Sequence, residues 1–552
     1  MSLRAPLAYA LPDETVRIAR AAFPKGNPYM RMRDALGPIY TNPDFAALFP
    51  RRGQPAEAPA HLALVTIMQF AEGLSDAQAA DAVRGRIDWK YALALELTDS
   101  GFDASVLSEF RDRLLAGNAE AQLFDTMLLL FRQQGLLKAK GRQRTDSTHI
   151  LGAIQVLNRL ECVGETLRAA LNVLATVAPE WLQAWVPSAW FDRYSRRFQD
   201  YRLPSEKADR YSLAEQIGAD GLEVLSRVYE PATPIALRQL SPVQVLRQVW
   251  LQQFHAAAGD EPLRWRTAED LPPAPLLIST PYDPDARYSK KRDTEWTGYK
   301  VHLTETCDDE TPHLITDVTT TAATTPDAPT LPTIQANLAE RGLVPREQIV
   351  DSGYMAAEHL VSSQSEYGID LLGPVGEDQS WQARAGTGYA IAQFTIDWDA
   401  EQAICPEGKR SVQWLVRQDQ TYAGMIQIGF AATDCAACAL RAACTQSAKH
   451  PRRLTVHARE HYEALQQARQ RQQSEAFKTA YATRAGIEGT ISQGTRSQEL
   501  RRSRYRGFPK TRLMHFVLAA ALNFMRVAAW LAETPRAHTR RSAFAALAPG
   551  TG

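Results

Sequence analysis

Three acidic residues occupy positions from which carboxylates could bind divalent metal ions. Asp146 interrupts the strand-like segment RTDST, and Asp351 ends the apolar run QIV ahead of Ser-Gly-Tyr. Glu488 lies in a basic helical segment between two glycines. Mg²⁺ prefers oxygen ligands and keeps several waters, so a few carboxylates can bind two ions that serve a phosphodiester displacement. The alternative is that these acids are ordinary turn and surface residues, because an Asp before a Gly at a strand end is common in turns.

A basic segment surrounds the third acid. Residues 484–512 contain eight Arg or Lys against two Glu, with Tyr505 and Phe508 among them. Such a segment is typical of a surface that binds DNA phosphates. The alternative is a solvated helix face, and the position around Glu488 favours DNA contact. The basic residues that we predict to bind DNA are Arg484, Arg496, Arg501, Arg502, Arg504, Arg506 and Lys510.

Four cysteines form a second possible site. Cys405, Cys435, Cys438 and Cys444 have the spacing C-x29-C-x2-C-x5-C. Four thiolates can close a structural, tetrahedral zinc site. The alternative is four reduced thiols in a small module, and the sequence leaves both open. The other two cysteines, Cys162 and Cys307, are interpreted as core residues.

The elements that must position these residues follow from periodicity. Residues 61–72, 75–83 and 105–115 are predicted to be helices, which fit either a helix-turn-helix DNA reader or a bundle that only packs or dimerises. Long helices are also predicted over 159–177 and 242–258, ahead of a proline-rich connector at 271–284. A further helical stretch is predicted over 457–493, and an apolar helix follows it around Phe516.

Strand character begins around the first acid and returns after the connector. The predicted strands are 143–154, 299–305, 313–320, 348–351 and 371–375, with a helix over 326–340. This order indicates a mixed α/β sheet. His149 and His302 lie on these strands and are interpreted as structural residues.

The composition restricts the class of protein. The chain has 552 residues, 62 basic and 62 acidic, so its net charge is zero and gives no support to a nucleic-acid partner. Its length suggests several domains. The N-terminus has no long apolar segment typical of a signal peptide, and the apolar stretch 515–531 contains Asn523 and Arg526, so we expect a buried helix and no membrane partner. Six cysteines in so long a chain indicate a reducing, cytoplasmic compartment.

The segments around the three acids resemble those of bacterial insertion-sequence transposases with a ribonuclease-H-like DDE domain, in the right order. TDSTHI around Asp146 and IVDSGY around Asp351 look like the first two motifs of that family. Tyr481, Arg484 and Glu488 match the spacing of its Tyr-Arg-Glu-Lys signature. Residues 282–306, the tail RRSRYRGFPK and the N-terminal region around 40–114 are also similar, so the resemblance covers most of residues 40–530.

The resemblance implies a ribonuclease-H-like α/β catalytic core with a helical N-terminal domain and two insertions. We expect the helical DNA-binding or oligomerisation domain over 1–140 and a flexible tail over 534–552. The core would comprise 141–156, 281–385 and 455–533. A helical insertion would span 157–280, and a cysteine-containing insertion would span 386–454.

The resemblance also implies the chemistry and the partners. Asp146, Asp351 and Glu488 would hold two Mg²⁺ or Mn²⁺ ions, a water would cut the end of the element, and the freed 3′-hydroxyl would attack target DNA. Tyr481 would join the basic residues in binding double-stranded DNA, at terminal inverted repeats and at the target, within a homodimer or larger synaptic assembly. The family's lysine falls on Thr495 here, with Arg496 as its possible substitute. Two other functions stay open, a metal-dependent nuclease on the same fold and a non-enzymatic DNA-binding protein derived from a transposase.

Overall fold

The protein combines many helices with one principal mixed sheet. A computed structural model describes residues 2–3, 9–154, 156–255, 263–386, 388–417 and 424–536. Its principal sheet has six strands, and parallel and antiparallel neighbours both occur in it. The predicted mixed α/β class is confirmed.

The N-terminal region is helical, as predicted. Its helices are α1 Asp13–Ala22, α2 Pro28–Leu36, α3 Pro59–Glu72, α4 Asp76–Gly85, α5 Ile87–Leu93, α6 Ser105–Ala116 and α7 Gln122–Gln133. Helix α3 begins with Pro59 and is capped after Glu72 by Gly73, whose φ of 70° suits a glycine. Ser75 and Gln78 form a capping box that begins α4.

The first strand, β1 Arg142–Leu151, leads into a mostly helical segment at the place of the expected helical insertion. The elements of this insertion are α8 Arg159–Val177, α9 Pro179–Gln183, α10 Ser188–Tyr194, α11 Lys207–Tyr229, α12 Ile235–Arg238, α13 Ser241–Gln253, β2 Phe254–His255 and β3 Arg264–Trp265. Their buried apolar side chains form a separate hydrophobic cluster that lies between Leu160 and Ile278. The predicted helix over 242–258 ends at Gln253, and its last three residues lie outside the described part of the chain.

The rest of the sheet follows the insertion. Its elements are β4 Arg287–Lys291, β5 Thr294–Thr306, β6 Ile315–Ala322, α14 Leu331–Glu340, β7 Glu347–Val350, α15 Ala357–Tyr367 and β8 Asp370–Leu372. The strand order is β4-β5-β1-β7-β8, and β6 also pairs with β5. Strand β1 is antiparallel to β5 and parallel to β7. The five predicted strands are therefore present with shifted ends, while β4 was not predicted.

The pairing on the β7 side of β1 stops early. Thr145 pairs with Val350, and β7 ends there. Further along, Leu151 donates a backbone hydrogen bond to the Arg501 carbonyl (2.8 Å) and accepts one from Ser503 (2.8 Å). Between these two contacts, no described strand pairs with β1 on this side. A gap in the sheet therefore begins at Asp146.

The segment expected to be the second insertion, which contains four of the cysteines, follows β8. Its elements are α16 Trp381–Ala385, β9 Thr395–Asp397, β10 Gln402–Ile404, β11 Ser411–Val416, β12 Met425–Phe430, α17 Ala432–Ala437, α18 Arg441–Cys444 and β13 Arg453–His457. Its buried side chains form a small cluster of their own, between Phe394 and Val456.

Four helices end the described chain, namely α19 Arg459–Gln472, α20 Glu475–Ala482, α21 Ala485–Gln498 and α22 Phe508–Leu531. The single helical stretch predicted over 457–493 is wrong: His457 ends a strand, and the helix breaks twice. Ser474 accepts a hydrogen bond from the Phe477 amide and begins α20 as its N-cap, so the chain restarts there. The predicted flexible tail lies almost wholly outside the described residues.

Helix α22 lies between the N-terminal helices and the sheet. It packs against α2, α3, α7 and β6, and all of them share one hydrophobic cluster. In the described residues it is the one helix long and apolar enough to cross a membrane, but 78% of its most apolar window is buried in the fold. Asn523 uses both ends of its amide to bind the Ile315 backbone, at 2.8 Å each. These contacts explain a buried Asn in an apolar core helix.

Candidate active site

Asp146 lies at the gap in the sheet. Side chains alternate along a strand, so Arg144, Asp146 and Thr148 share one face of β1. Helix α21 packs against β1. The Asp146 side chain is 16% exposed, and its Oδ1 accepts the Ser147 amide at 2.7 Å. The first predicted acid is therefore a partly buried carboxylate with a fixed orientation.

Asp351 follows the last residue of β7 and begins a tight turn over Ser352–Tyr354. Its side chain accepts the Gly353 amide at 2.7 Å. Tyr354 anchors the turn, because its fully buried ring places the hydroxyl 2.6 Å from His302 Nδ1. His302 Nε2 lies 3.1 Å from the Thr321 hydroxyl. His302 is thus a satisfied buried residue that supports the Asp351 turn.

Asp327 is a fourth carboxylate at this site that the sequence analysis missed. It accepts hydrogen bonds from Lys300 Nζ (3.0 Å) and Ser147 Oγ (3.1 Å). A Cβ placed on Gly353 would lie 2.9 Å from Asp351 Oδ1 and 3.1 Å from Asp327 Oδ2, so both carboxylates flank the same glycine. The only sequence signal was an Asp between two prolines at a predicted helix start, which is typical of an ordinary helix cap.

Arg484 joins the first and third predicted acids. Its Nη1 donates to Asp146 Oδ2 at 2.7 Å, and its Nη2 donates to Glu488 Oε1 at 2.9 Å. Arg484 precedes α21, and Glu488 lies one turn into that helix, so the two side chains share a face. Arg484 also stacks over the Tyr481 ring, 5.8 Å from its centroid. The Tyr481, Arg484 and Glu488 spacing therefore places all three beside Asp146.

The electrostatics of the site oppose the ionisation of Asp146. Burial raises the pKa of Asp146, and the nearby Asp351 carboxylate adds to that rise. The Ser147 amide and Arg484 act in the opposite direction, but the net pKa is above the ordinary value. A cation close to Asp146 would offset this burial cost, and Arg484 supplies one.

The candidate ligands fit a hard divalent cation by their chemistry. All three are carboxylates, which are the donors that Mg²⁺ and Mn²⁺ prefer. In the described residues, no three His, Cys, Asp or Glu side chains are grouped closely enough to hold a metal ion. Arg484 lies between Asp146 and Glu488, so a metal ion bound to both carboxylates would require this guanidinium to release at least one of them.

The predicted DNA-binding residues fall into two groups. Arg496, Arg501, Arg502, Arg506 and Lys510 are exposed. Arg501 donates to the Thr148 hydroxyl at 3.0 Å, on the same face of β1 as Asp146. Arg504 is half-buried, donates to the Leu74 carbonyl and stacks over Phe70. The Arg504 contacts join the tail to the N-terminal helices, which is a structural role.

Several exposed basic residues also have protein partners. Lys510 pairs with Asp112 at 3.0 Å, and Arg506 lies 5.7 Å from the centre of the Tyr282 ring. Exposed pairs of this kind contribute little to stability, so DNA phosphates can compete for both side chains. Thr495, at the position of the family's lysine, bonds the Ile491 carbonyl within α21.

The four clustered cysteines lie in the second insertion, where three of them pack against its hydrophobic cluster. The Lys409 amide lies 3.3 Å from Cys405 Sγ, across a turn in which Gly408 has a φ of 78°. Burial raises the pKa of Cys444, and the other three cysteines raise it further, so all four lie in one neighbourhood. Within the described chain their sulfurs do not form a metal-binding group, and the zinc site stays a prediction. Cys162 and Cys307 are buried, as expected of core residues.

Two family models match the chain. Residues 17–113 match the transposase domain (DUF772), and residues 404–528 match the transposase DDE domain. The second match includes Glu488 and the four clustered cysteines, whereas Asp146 and Asp351 precede it. No curated protein matches the chain, and no solved structure does.

The mixed sheet with its flanking helices is ribonuclease-H-like, the fold of the DDE domain. Both matched segments are transposase domains, and together with this fold they support a relation to the insertion-sequence transposases that have a DDE domain.

Proposed function

We propose that the protein binds the ends of its insertion element and catalyses metal-dependent DNA strand cleavage and strand transfer. The observation that carries this proposal is the bridge from Arg484 to Asp146 and Glu488, at the gap beside β1 where Asp351 also lies. Asp146, Asp351 and Glu488 are the groups that we propose to hold two divalent ions. When bound, the ions would supply the charge that activates the attacking oxygen and stabilises the leaving oxygen.

The protein's own residues would orient the DNA. Arg484 is held by two carboxylates in the free chain, and a phosphate at the end of the element could replace them as its partner. Arg501 lies on the same face of β1 and would contact the adjacent backbone. We propose that Arg496, Arg502, Arg506 and Lys510 extend this basic surface, and that double-stranded DNA binds across it.

We propose the domain division that the sequence predicts, namely an N-terminal helical domain, a catalytic core, and two insertions in that core. The two insertions are supported by their separate hydrophobic clusters. The N-terminal helices share one cluster with the catalytic sheet, so we propose that they pack onto it as a single unit. A DNA substrate with two ends favours a homodimer or a larger synaptic assembly. We also propose that the protein is bacterial and cytoplasmic.

A cleavage and strand-transfer assay tests the function. DNA with the element's flanking repeats would be incubated with Mg²⁺ or Mn²⁺ and with Asp146→Asn, Asp351→Asn or Glu488→Gln. Each variant should keep DNA binding and lose about a thousandfold or more in rate. The matched controls are Asp399→Asn and Glu310→Gln, whose side chains are 91% and 80% exposed and lie in surface ion pairs.

The same assay separates the two other functions. If the protein cleaves DNA but does not join a 3′-hydroxyl end, it is a metal-dependent nuclease. Tight DNA binding without any cleavage, unchanged in Asp351→Asn, would leave a non-enzymatic DNA-binding protein. Three variants that cut as well as wild type would show that the ligands are assigned wrongly.

A further inference from the structure

A buried ionic network lies directly behind the candidate site. Its centre is Glu305 on β5, whose side chain is fully buried. Glu305 Oε1 accepts Arg144 Nε at 2.7 Å, and its Oε2 accepts Arg526 Nη1 at 2.8 Å and the Thr490 hydroxyl at 2.5 Å. Burial opposes the ionisation of Glu305, but Arg526 and Arg144 outweigh it and lower the pKa of this carboxyl. The carboxylate is therefore charged and fully hydrogen-bonded.

The network contacts the chain on both sides of Arg484 and Glu488. Arg144 Nη1 donates to the Thr483 carbonyl at 2.6 Å, and Thr483 is the C-cap residue of α20. A cation at the C-terminal end of a helix is favourable, because the carbonyls there carry partial negative charge. Thr490 lies in α21, two residues after Glu488. The corner between the two helices is thus tied to the sheet at two points.

Gly486 makes this arrangement possible. A Cβ at this position would overlap the Arg144 guanidinium. Arg144 cannot easily move aside, because Glu305 and the Thr483 carbonyl hold it. The absence of a side chain at residue 486 is therefore a requirement of the network.

We propose that Arg144 and Glu305 are positioning residues, which fix the corner between α20 and α21 so that Arg484 and Glu488 face Asp146. The inference rests on the proposed function for its catalytic consequence. Arg144 and Asp146 lie two residues apart on one rigid strand, so the strand sets the distance between anchor and acid. A buried ion pair is weak evidence of stability, since well-packed apolar residues often stabilise as well. The network contacts Thr483 and Thr490, on either side of Arg484 and Glu488, and these contacts support a positioning role.

The test compares two buried carboxylates of the same sheet. Glu305→Gln keeps the shape of the side chain and removes its charge. The matched control is Asp317→Asn, because Asp317 is also fully buried and pairs with Arg341 at 2.7 Å, but neither contacts the corner. Hydrogen exchange of the amides over 483–493 would be measured by mass spectrometry in the full chain. We expect faster exchange in Glu305→Gln and unchanged exchange there in Asp317→Asn.

Kinetics supply the second readout. Glu305→Gln should lower the strand-cleavage rate by about a hundredfold, as a misplacement of about 1 Å can, with little change in DNA affinity. Arg144→Lys should lose less of the cleavage rate than Glu305→Gln does. The lysine ammonium can reach one of the two partners of Arg144 but not both. Gly486→Ala leaves Glu305 charged and should give the same pattern if Glu305→Gln does not fold.

Two outcomes would overturn the inference. One is unchanged exchange over 483–493 in both Glu305→Gln and Gly486→Ala. The other is an equal loss of rate in Glu305→Gln and Asp317→Asn. If wild type itself does not cut DNA, the proposed function fails, and hydrogen exchange alone then decides whether the network holds the corner.

Discussion

Replacing Arg484 with Gln should change metal binding and DNA cleavage in opposite directions. In the free chain the Arg484 guanidinium pairs with Asp146 and Glu488, so a divalent ion that binds these proposed ligands would compete with it. Arg484→Gln removes the competitor and should tighten metal binding without DNA. The same change removes a proposed phosphate contact and should slow strand cleavage.

The size of the effect follows from burial. Asp146 and Arg484 are 16% and 17% exposed, so their bond keeps much of the strength of a charge-assisted hydrogen bond, about 1–2 kcal/mol after a discount for solvent. Glu488 is 61% exposed, and its bond to Arg484 adds little. A loss of 1–2 kcal/mol of competition corresponds to roughly 5–30-fold tighter metal binding. Without its cation, the pKa of Asp146 should rise further above the ordinary value, so the gain should shrink as the pH is lowered.

Titration of Mn²⁺ followed by electron paramagnetic resonance would measure the affinity of the full chain without DNA. Arg471→Gln is the matched control, because Arg471 also binds two carboxylates, Asp370 and Glu347, away from the gap. Equal or weaker Mn²⁺ binding by Arg484→Gln would refute the reasoning. The three carboxylates would then not be the ligands with which Arg484 competes.

Further predictions concern folding and the insertions. Burial lowers the pKa of His515 to about 3, so the unfolded chain takes up a proton below pH 6.5 that the folded chain does not. His515 should therefore cost about 2 kcal/mol of stability between pH 7 and pH 5, and urea unfolding should show His515→Gln losing less over that range. Tyr354→Phe removes the hydroxyl beside Nδ1 of the buried His302 and leaves only Thr321 beside Nε2, so it should lower the free energy of unfolding by about 1–3 kcal/mol and slow cleavage. Gly298 has a φ of 155° and lies against the Ile150 carbonyl, so Gly298→Ala should cost about 1–3 kcal/mol in the same titration, whereas Gly376→Ala, in open space, should not. If the cysteines bind zinc, elemental analysis should find one zinc per chain and less in Cys438→Ser; four freely reactive thiols and no zinc would reject the site.

Local patterns predicted most of the elements that carry the candidate acids. The alternation in β5 and the apolar run before Asp351 are local signals, and both strands are present where the sequence predicts them. The breaks around α20 were missed, because the stretch is helical by composition, and the Arg144 contact with the Thr483 carbonyl at the second break comes from a residue far away in the sequence. Sequence reasoning also could not find the partnership of Arg144 and Glu305. It depends on a strand register between residues 161 positions apart, with the helical insertion between them.

Asp327 shows a second limit of the same kind. Its role depends on Lys300 and Ser147, which approach from two other strands. The sequence around it is typical of a turn before a helix, and that local pattern is also correct. Asp327 thus fits the local pattern of a helix start and also makes contacts with residues distant in the sequence. Only the local pattern can be recognised from the sequence alone.

The distance along the chain between the two halves of the site affects synthesis. Asp146 and Arg484 are separated by 338 positions, and α22 comes later still. At about 5–20 residues per second, a ribosome needs roughly 20–70 s to pass from one to the other. During that interval the nascent chain has the first strand acid but neither its guanidinium partner nor the helix that covers α2, α3 and α7. A prematurely terminated product would therefore lack the complete candidate site. It would also expose the apolar surface that α22 covers, and proteases should degrade it easily.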